Sequence, residues 1–245
     1  VTDEIFRLWV YLSATPLAGL TLTLVAYVAA YAIYARLGFH PLANPVPISV
    51  AIVVAALLAT GTPYRTYFDG AQFVHFLLGP AVVGLAVPLA REWPGVRRLA
   101  LPIVTALVAG SVVAAASAVA VAWALGASPQ TLLSLVAKSV TAPVAMGIAE
   151  RLGGLPALAA VFAVTTGVLG AVLGRSIFVS IGVNDMRARG FALGLAAHGI
   201  GTARAFQVDA QQAGTWAGLA FALHALLAAV AFPVVLALGR ALAGT

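Results

Sequence analysis

The stretch Thr131-Leu-Leu-Ser-Leu-Val-Ala-Lys138-Ser139-Val-Thr141-Ala-Pro143-Val-Ala-Met-Gly-Ile-Ala149 carries the only lysine of the chain in the middle of a hydrophobic run. A charge near the centre of a membrane span costs about 2.5–3.5 kcal/mol even on the lenient insertion scale, so such a residue usually faces a cavity and has a task there. Its neighbours Ser139 and Thr141 are hydroxylic, and Pro143 removes a backbone donor and disrupts the helix. Other polar residues within apolar stretches are His75, Arg175, His198, Arg204 and His224. No acid joins them, because Asp69, Glu92, Glu150, Asp185 and Asp209 fall at segment ends or in connections. An apolar interior that holds cations without a fixed acid is suited to receive an anion.

Composition sets the class. The chain has 245 residues, 62% of them hydrophobic and 8% charged, with a mean hydropathy of +1.06. Soluble domains carry about 25% charged residues, so an integral membrane protein is expected. Residues 1–13 include Asp3, Glu4 and Arg7 and lack a small-residue cleavage pattern, so no cleavable signal peptide is expected there. The absence of cysteine excludes disulfides, thiol catalysis and cysteine-ligated metals. Twelve of the thirteen basic residues are arginines at loops and helix ends. That distribution reads as topology anchoring and not as nucleic-acid binding.

Eight apolar segments can be drawn: Thr15–Leu37, Val46–Thr62, Ala71–Ala90, Leu99–Leu125, Thr131–Ala149, Leu155–Gly174, Ala188–Phe206 and Ala213–Leu238. Their lengths fit α-helical spans and exceed the roughly 9–11 residues of a membrane strand. Short links hold the turn signals Asn44-Pro45, Trp93-Pro94-Gly95 and Ala127-Ser128-Pro129. The fold class is therefore an all-α integral membrane protein, one membrane domain over residues 1–245. Two segments are interrupted, the third at Gly79-Pro80 and the seventh at His198-Gly199-Ile-Gly201-Thr202. Broken or re-entrant helices are tolerated at depth only where protein or a water cavity satisfies the freed backbone groups.

A shift of 115 positions brings the halves into register. It matches Arg36-Leu37-Gly38 and Pro41 with Arg151-Leu152-Gly153 and Pro156, and Gly79 and Gly84 with Gly194 and Gly199. Two repeats are read, about 15–126 and 130–239. Paired repeats with interrupted helices point to a secondary transporter with its site near the midplane. Four full spans per repeat make the repeats parallel. A third segment that re-enters makes them inverted, and an axis in the membrane plane is the expectation. Arg91, Arg97 and Arg98 are placed on the cytoplasmic side.

The candidate substrate-binding set is Lys138, Ser139, Thr141, Pro143, His198, Gly199, Gly201, Thr202, Arg204, Gly79 and Pro80. The glycines expose backbone N–H groups, and a helix N-terminus in a cavity attracts a carboxylate. His198 is either a group that titrates near neutral pH or a buried, hydrogen-bonded histidine. Arg204 either meets substrate or reaches headgroups. His75 and His224 read as buried, hydrogen-bonded histidines, and Arg175 as a snorkelling side chain. Metal-ligand histidine pairs, paired carboxylates, a phosphate-binding loop and a nucleophile elbow are all missing from the sequence, so no enzyme activity and no cofactor are expected. Proton or sodium coupling stays open.

Several stretches together resemble the LrgB/CidB family: Asn44-Pro45, Tyr67-Phe-Asp-Gly-Ala-Gln-Phe73, Phe76-Leu-Leu-Gly-Pro-Ala81, Leu85-Ala-Val-Pro-Leu89, Lys138-Ser-Val-Thr-Ala-Pro-Val-Ala145, Gly153-Gly154 and Ala196-Ala-His-Gly-Ile-Gly-Thr-Ala-Arg-Ala205. The similarity runs from about Asn44 to Val235. Ala142 departs from the family, where many members have a hydroxylic residue before the proline. The resemblance implies a multi-pass bacterial inner-membrane protein, often paired with a smaller LrgA/CidA-type partner. It implies either of two functions. One is an antiholin-like regulator of murein hydrolase export and cell lysis. The other is a carrier of small organic acids of the glycolate, glycerate, lactate or pyruvate type, as in the LrgB-like half of the plastid glycolate/glycerate translocator. Internal cations, exposed backbone donors and paired repeats favour the carrier. Small-residue helix faces also make a homodimer the expected assembly.

Overall fold

Local chemistry decides where each helix starts and stops. The computed structural model describes residues 16–77, 90, 93–208 and 211–243, and all its regular structure there is helical. By contacts the chain divides into two compact units, residues 1–84 and 85–245.

The first unit holds α1 (Pro16–Arg36), a 3-10 turn (Pro41–Ala43), α2 (Pro45–Thr60) and α3 (Tyr64–Phe76). The α1 helix packs on both α2 and α3. Gly19 permits the approach, since a Cβ there would collide with the Tyr67 carbonyl. One turn further on, the Thr23 and Tyr67 hydroxyls share a hydrogen bond of 2.8 Å. The Asn44 side chain accepts from Val46 N at 2.9 Å and starts α2, with Pro45 supplying the preset φ of a first helical residue. At 16 residues, α2 is roughly 24 Å long, short of the ~30 Å hydrocarbon core.

The second unit holds α4 (Trp93–Arg98), α5 (Ala100–Ala124), α6 (Pro129–Leu135), α7 (Ala142–Leu152), α8 (Pro156–Ser180), α9 (Met186–Val208) and α10 (Gln211–Ala243). Among the described residues, four stretches are long and apolar enough to cross a membrane: Leu17–Arg36, Ala100–Ala124, Pro156–Ser180 and Gln211–Val235. The sequence marks eight segments. The difference lies in the short α2, in segments that are broken, and in the third segment, much of which, including Gly79 and Pro80, falls outside the described residues.

The fifth segment is not a straight helix. It is α6, a turn over residues 136–141, and α7. Ser134, fully buried near the end of α6, accepts from Leu155 N just beyond α7 at 2.7 Å. With 11 residues, α7 is roughly 16 Å long, so this bond requires it to run back along the path by which the chain left Ser134. The segment is a hairpin with Lys138 to Thr141 toward its tip. Gly154 allows the closure, because a Cβ there would sit 2.9 Å from Ser134 N. Ala137, Val140, Ala145, Ile148 and Ala149 of the hairpin form one core with Ala159 and Ala163 of α8 and Ala228 of α10.

The seventh segment is kinked. Within α9, Ala197 (φ −125°, ψ 15°) and His198 (φ 42°, ψ −135°) leave helical geometry. The left-handed φ falls on the histidine and not on Gly199 or Gly201, at a cost of about 1–3 kcal/mol for a non-glycine residue.

At the Arg-Leu-Gly-x-x-Pro match the two stretches share one local turn. Gly38 (φ 63°) and Gly153 (φ 84°) end their helices in the left-handed conformation. In both turns the glycine N–H donates three residues back and the next N–H five residues back. Pro41 then opens the 3-10 turn and Pro156 opens α8. The shift also carries α5 onto α10, but it carries the continuous α1 onto the broken α6 and α7. A shared helix stop followed by a proline start explains the Arg-Leu-Gly-x-x-Pro match locally.

Asp185 caps α9. Its carboxylate accepts from Arg187 N at 2.8 Å and Ala188 N at 3.1 Å, and Arg187 Nη2 donates to it at 2.9 Å. The Arg187 side chain and these amides hold its pKa down at about 2. A depressed carboxylate pKa stabilises the fold above the unfolded value near 3.8, and this contribution is lost as pH falls through about 2. Asp185→Ala is expected to cost about 0.5–2 kcal/mol at neutral pH. Thermal unfolding should show the difference shrinking as pH drops from 4 toward 2, and a difference independent of pH would contradict the capping role.

Candidate functional site

The hairpin turn, α8, α9 and α10 converge on a few buried polar groups. Lys138 Nζ donates to Ser139 Oγ at 3.3 Å. Ser139 is buried, whereas Lys138 is partly buried. No described carboxylate pairs with Lys138, and Asp69, Glu150 and Asp185 are all exposed.

Two histidines hold the kink in α9 together. In a regular helix Leu195 O would accept from Gly199 N; here it accepts from His224 Nδ1 of α10 at 2.9 Å. The His198 ring, 3% exposed, donates through Nε2 to Ala163 O of α8 at 2.9 Å. Thr202 Oγ1 donates to His198 O at 2.9 Å. A carbonyl can only accept, so these bonds fix a protonated Nε2 on His198 and a protonated Nδ1 on His224. His224 lines one narrow crevice with Ser111 and Ser139. His224 is thus the hydrogen-bonded buried histidine that its sequence context suggests, and it braces the break directly.

Glycines on α8 make room for this arrangement. A Cβ on Gly167 would lie 2.8 Å from His198 Cε1 and 2.9 Å from Nε2, and one on Gly170 would overlap Ala197 Cβ. On α9 itself, a Cβ on Gly201 would lie 2.7 Å from Leu193 O. Gly167→Ala should force the His198 ring off Ala163 O and cost about 1–3 kcal/mol, the penalty of an unmade buried hydrogen bond. In a double-mutant cycle it should be strongly non-additive with His198→Ala, since both remove the same bond. Additive losses in thermal unfolding would refute the contact.

Beside this centre is a cavity of about 750 Å³ between α5, the hairpin turn, α8 and α9. Lys138 and Ser139 line it together with Ser117, Thr166 and many apolar side chains. His198, Thr202 and Arg204 do not line it. His198 and Thr202 are buried, turned into the α8 contact and the α9 backbone respectively, and Arg204 is partly buried further along α9. Thr141 and Pro143 begin α7, and Thr141 makes no side-chain capping bond. Gly199 meets no neighbouring atom within contact distance of its missing Cβ. The structure therefore brings Lys138 and Ser139 together at a cavity wall and sets the His198 group on the adjoining helix contact. Thr166, Gly167 and Ser117 are absent from the sequence-derived set, because an isolated hydroxyl or glycine in an apolar helix carries no pattern.

A second cavity of about 490 Å³ lies within the first unit, among α1, α2 and α3. Thr23, Tyr27, Ser49, Tyr64 and Tyr67 bring hydroxyl-bearing side chains to it, and none of its described lining residues is charged. Among the described residues no cluster of three or more His, Asp or Glu is placed to hold a metal ion.

Long apolar helices beside a broken hairpin and a kinked helix define a helical membrane protein with a cationic centre that no described acid neutralises. The family model described as the LrgB-like family matches residues 23–238. The chain belongs to that family. It is 30% identical over 217 residues to the protein named Holin-like protein CidB of Staphylococcus epidermidis, covering 89% of this chain and 94% of that one. It is also 33% identical over 220 residues to the uncharacterized protein YwbG of Bacillus subtilis, covering 90% and 97%. With the uncharacterized protein YxaC of the same species it shares 36% identity over 186 residues, 76% and 80% of the two chains. No solved structure matches the chain.

Proposed function

We propose that this chain is a holin-like regulator in the bacterial inner membrane, acting on murein hydrolase export and cell lysis. The likeness to CidB of Staphylococcus epidermidis over 89% of the chain carries this reading, since that relative is named holin-like. A smaller LrgA/CidA-type membrane protein is its expected partner, and a homodimer its expected assembly. The test is expression in a bacterial host without its own LrgB-type protein. Extracellular murein hydrolase activity and stress-induced lysis should both change against an empty vector. An unchanged hydrolase profile with the protein inserted in the membrane contradicts the reading.

A second reading is favoured by one observation inside the chain, the partly buried Lys138 at a cavity wall with Ser139 as its hydrogen-bond partner. In that reading the protein carries small organic carboxylates, with proton or sodium as coupling ion. Lys138 meets the carboxylate and Ser139 a second polar group. His198, Gly199, Gly201 and Thr202 form the break on which α9 would move, and Thr141, Pro143 and Arg204 flank it. Proteoliposomes containing this chain alone separate the two readings. Saturable uptake of labelled glycolate or pyruvate without release of an unrelated dye supports carriage. Equal release of unrelated solutes, or no uptake at all, counts against it.

A further inference from the structure

The cavity at Lys138 is larger and more apolar than a two- or three-carbon acid needs. Its 750 Å³ lies within the ~300–1,000 Å³ of pockets that hold drug-sized ligands, while a single water takes roughly 30 Å³. Among the described lining residues, Lys138 is the charged one. Away from Lys138 and Ser139 the wall holds two hydroxyls, Ser117 and Thr166, among mostly apolar side chains such as Val121, Leu169, Leu173 and Phe178. An ion whose polarity is confined to one end matches such a wall. A ligand with more hydroxyls than Ser117 and Thr166 can meet would leave the rest without partners against apolar side chains, at about 1–3 kcal/mol for each group desolvated and unpaired.

We infer that the Lys138 cavity takes a monocarboxylate with an apolar tail, such as a branched 2-oxo acid, in preference to a short hydroxy acid. The carboxylate sits on Lys138 Nζ with Ser139 beside it, and the tail lies along α8 toward Leu173. This rests on the carboxylate reading above and specifies its cargo. Other occupants of the same space are an acyl chain of the bilayer or a side chain from a second copy. An acyl chain brings no negative charge to the lysine, and an acidic side chain from a second copy would be fixed in place and insensitive to added acid.

The test uses the full chain in lipid nanodiscs, with 4-methyl-2-oxopentanoate and glycolate as probes. Both are ionised at neutral pH, so passive partition is small. Binding is read as ligand-induced stabilisation against unfolding, and carriage as uptake into proteoliposomes. The branched acid is expected to bind at least about tenfold more tightly than glycolate, the equivalent of about 1.4 kcal/mol. Lys138→Gln should weaken both acids. Ala118→Trp, which fills the wall on α5, should lower the ratio of long-acid to short-acid affinity by about tenfold or more.

Equal or tighter binding of glycolate overturns the inference and leaves carboxylate carriage standing. Tight binding of the branched acid without uptake supports the site and removes the carriage reading. If neither acid binds, or if binding is indifferent to Lys138→Gln because lipid or a second copy fills the groove, the inference is wrong.

Discussion

If the chain carries carboxylates, replacing Lys138 by alanine is expected to lower their uptake tenfold or more while the protein remains folded in the membrane. A charge-assisted hydrogen bond to a desolvated carboxylate contributes about 1.5–3 kcal/mol, and about 1.4 kcal/mol is already a factor of ten in affinity. The fold should survive, because Lys138 makes one hydrogen bond at 3.3 Å and its removal leaves no described acid buried and unpaired. Lys138→Arg should rescue in part, since a planar guanidinium keeps the charge but does not reproduce the compact ammonium. Lys138→Glu should be worse than alanine, because it repels the anion. Normal uptake by the alanine variant would make Lys138 a snorkelling anchor and remove the anion site.

The largest structural effect is expected at the contact of α9 with α10. Gly190 and Gly194 lie one turn apart on α9, and a Cβ on either would collide with the backbone carbonyl of Ala213 or Ala217. Small residues let membrane helices approach until their backbones touch, and here the neighbour is backbone, which cannot rotate away. Overpacking a core costs about 1–3 kcal/mol even where side chains can yield. Gly194→Leu should therefore separate the two helices, pull His224 off Leu195 O and release the kink. The measurement is yield of monodisperse protein and its unfolding temperature in detergent. Gly147 is the control. It lies exposed in α7, and a Cβ added there would have nothing within 4 Å, so Gly147→Ala should be neutral or stabilising by up to ~1 kcal/mol. Similar losses in both variants would dismiss the tight packing of α9 on α10.

Much of this architecture is legible in the residues, and the failures have physical causes. Apolar length identifies helices, and Pro143 and the His198-Gly199 pair locate the two irregular segments, because a missing donor and a crowded left-handed φ are local properties. The direction of the chain after a break is not local. Thr131–Ala149 reads as one span because its flanks are uniformly apolar, yet the Ser134–Leu155 bond turns it into a hairpin. His198 points at α8 because Gly167, thirty-one positions earlier, leaves room for its ring. Neither fact has a periodic signature. The same limit applies to the site. Lys138 stands out as a lone charge, whereas His224 acquires its role only when the kink frees Leu195 O. Arg204 follows closely on the glycines in sequence, but the kink places it away from the Lys138 cavity.

The carboxylate reading turns on an anion seated on Lys138. Because the chain contains a single lysine, labelling with ¹⁵N-lysine places one side-chain ammonium signal in the spectrum of the whole protein. Titration with carboxylate in nanodiscs should shift that signal saturably, with little response to chloride at equal ionic strength. A signal unmoved by carboxylate, or moved equally by chloride, would contradict the claim.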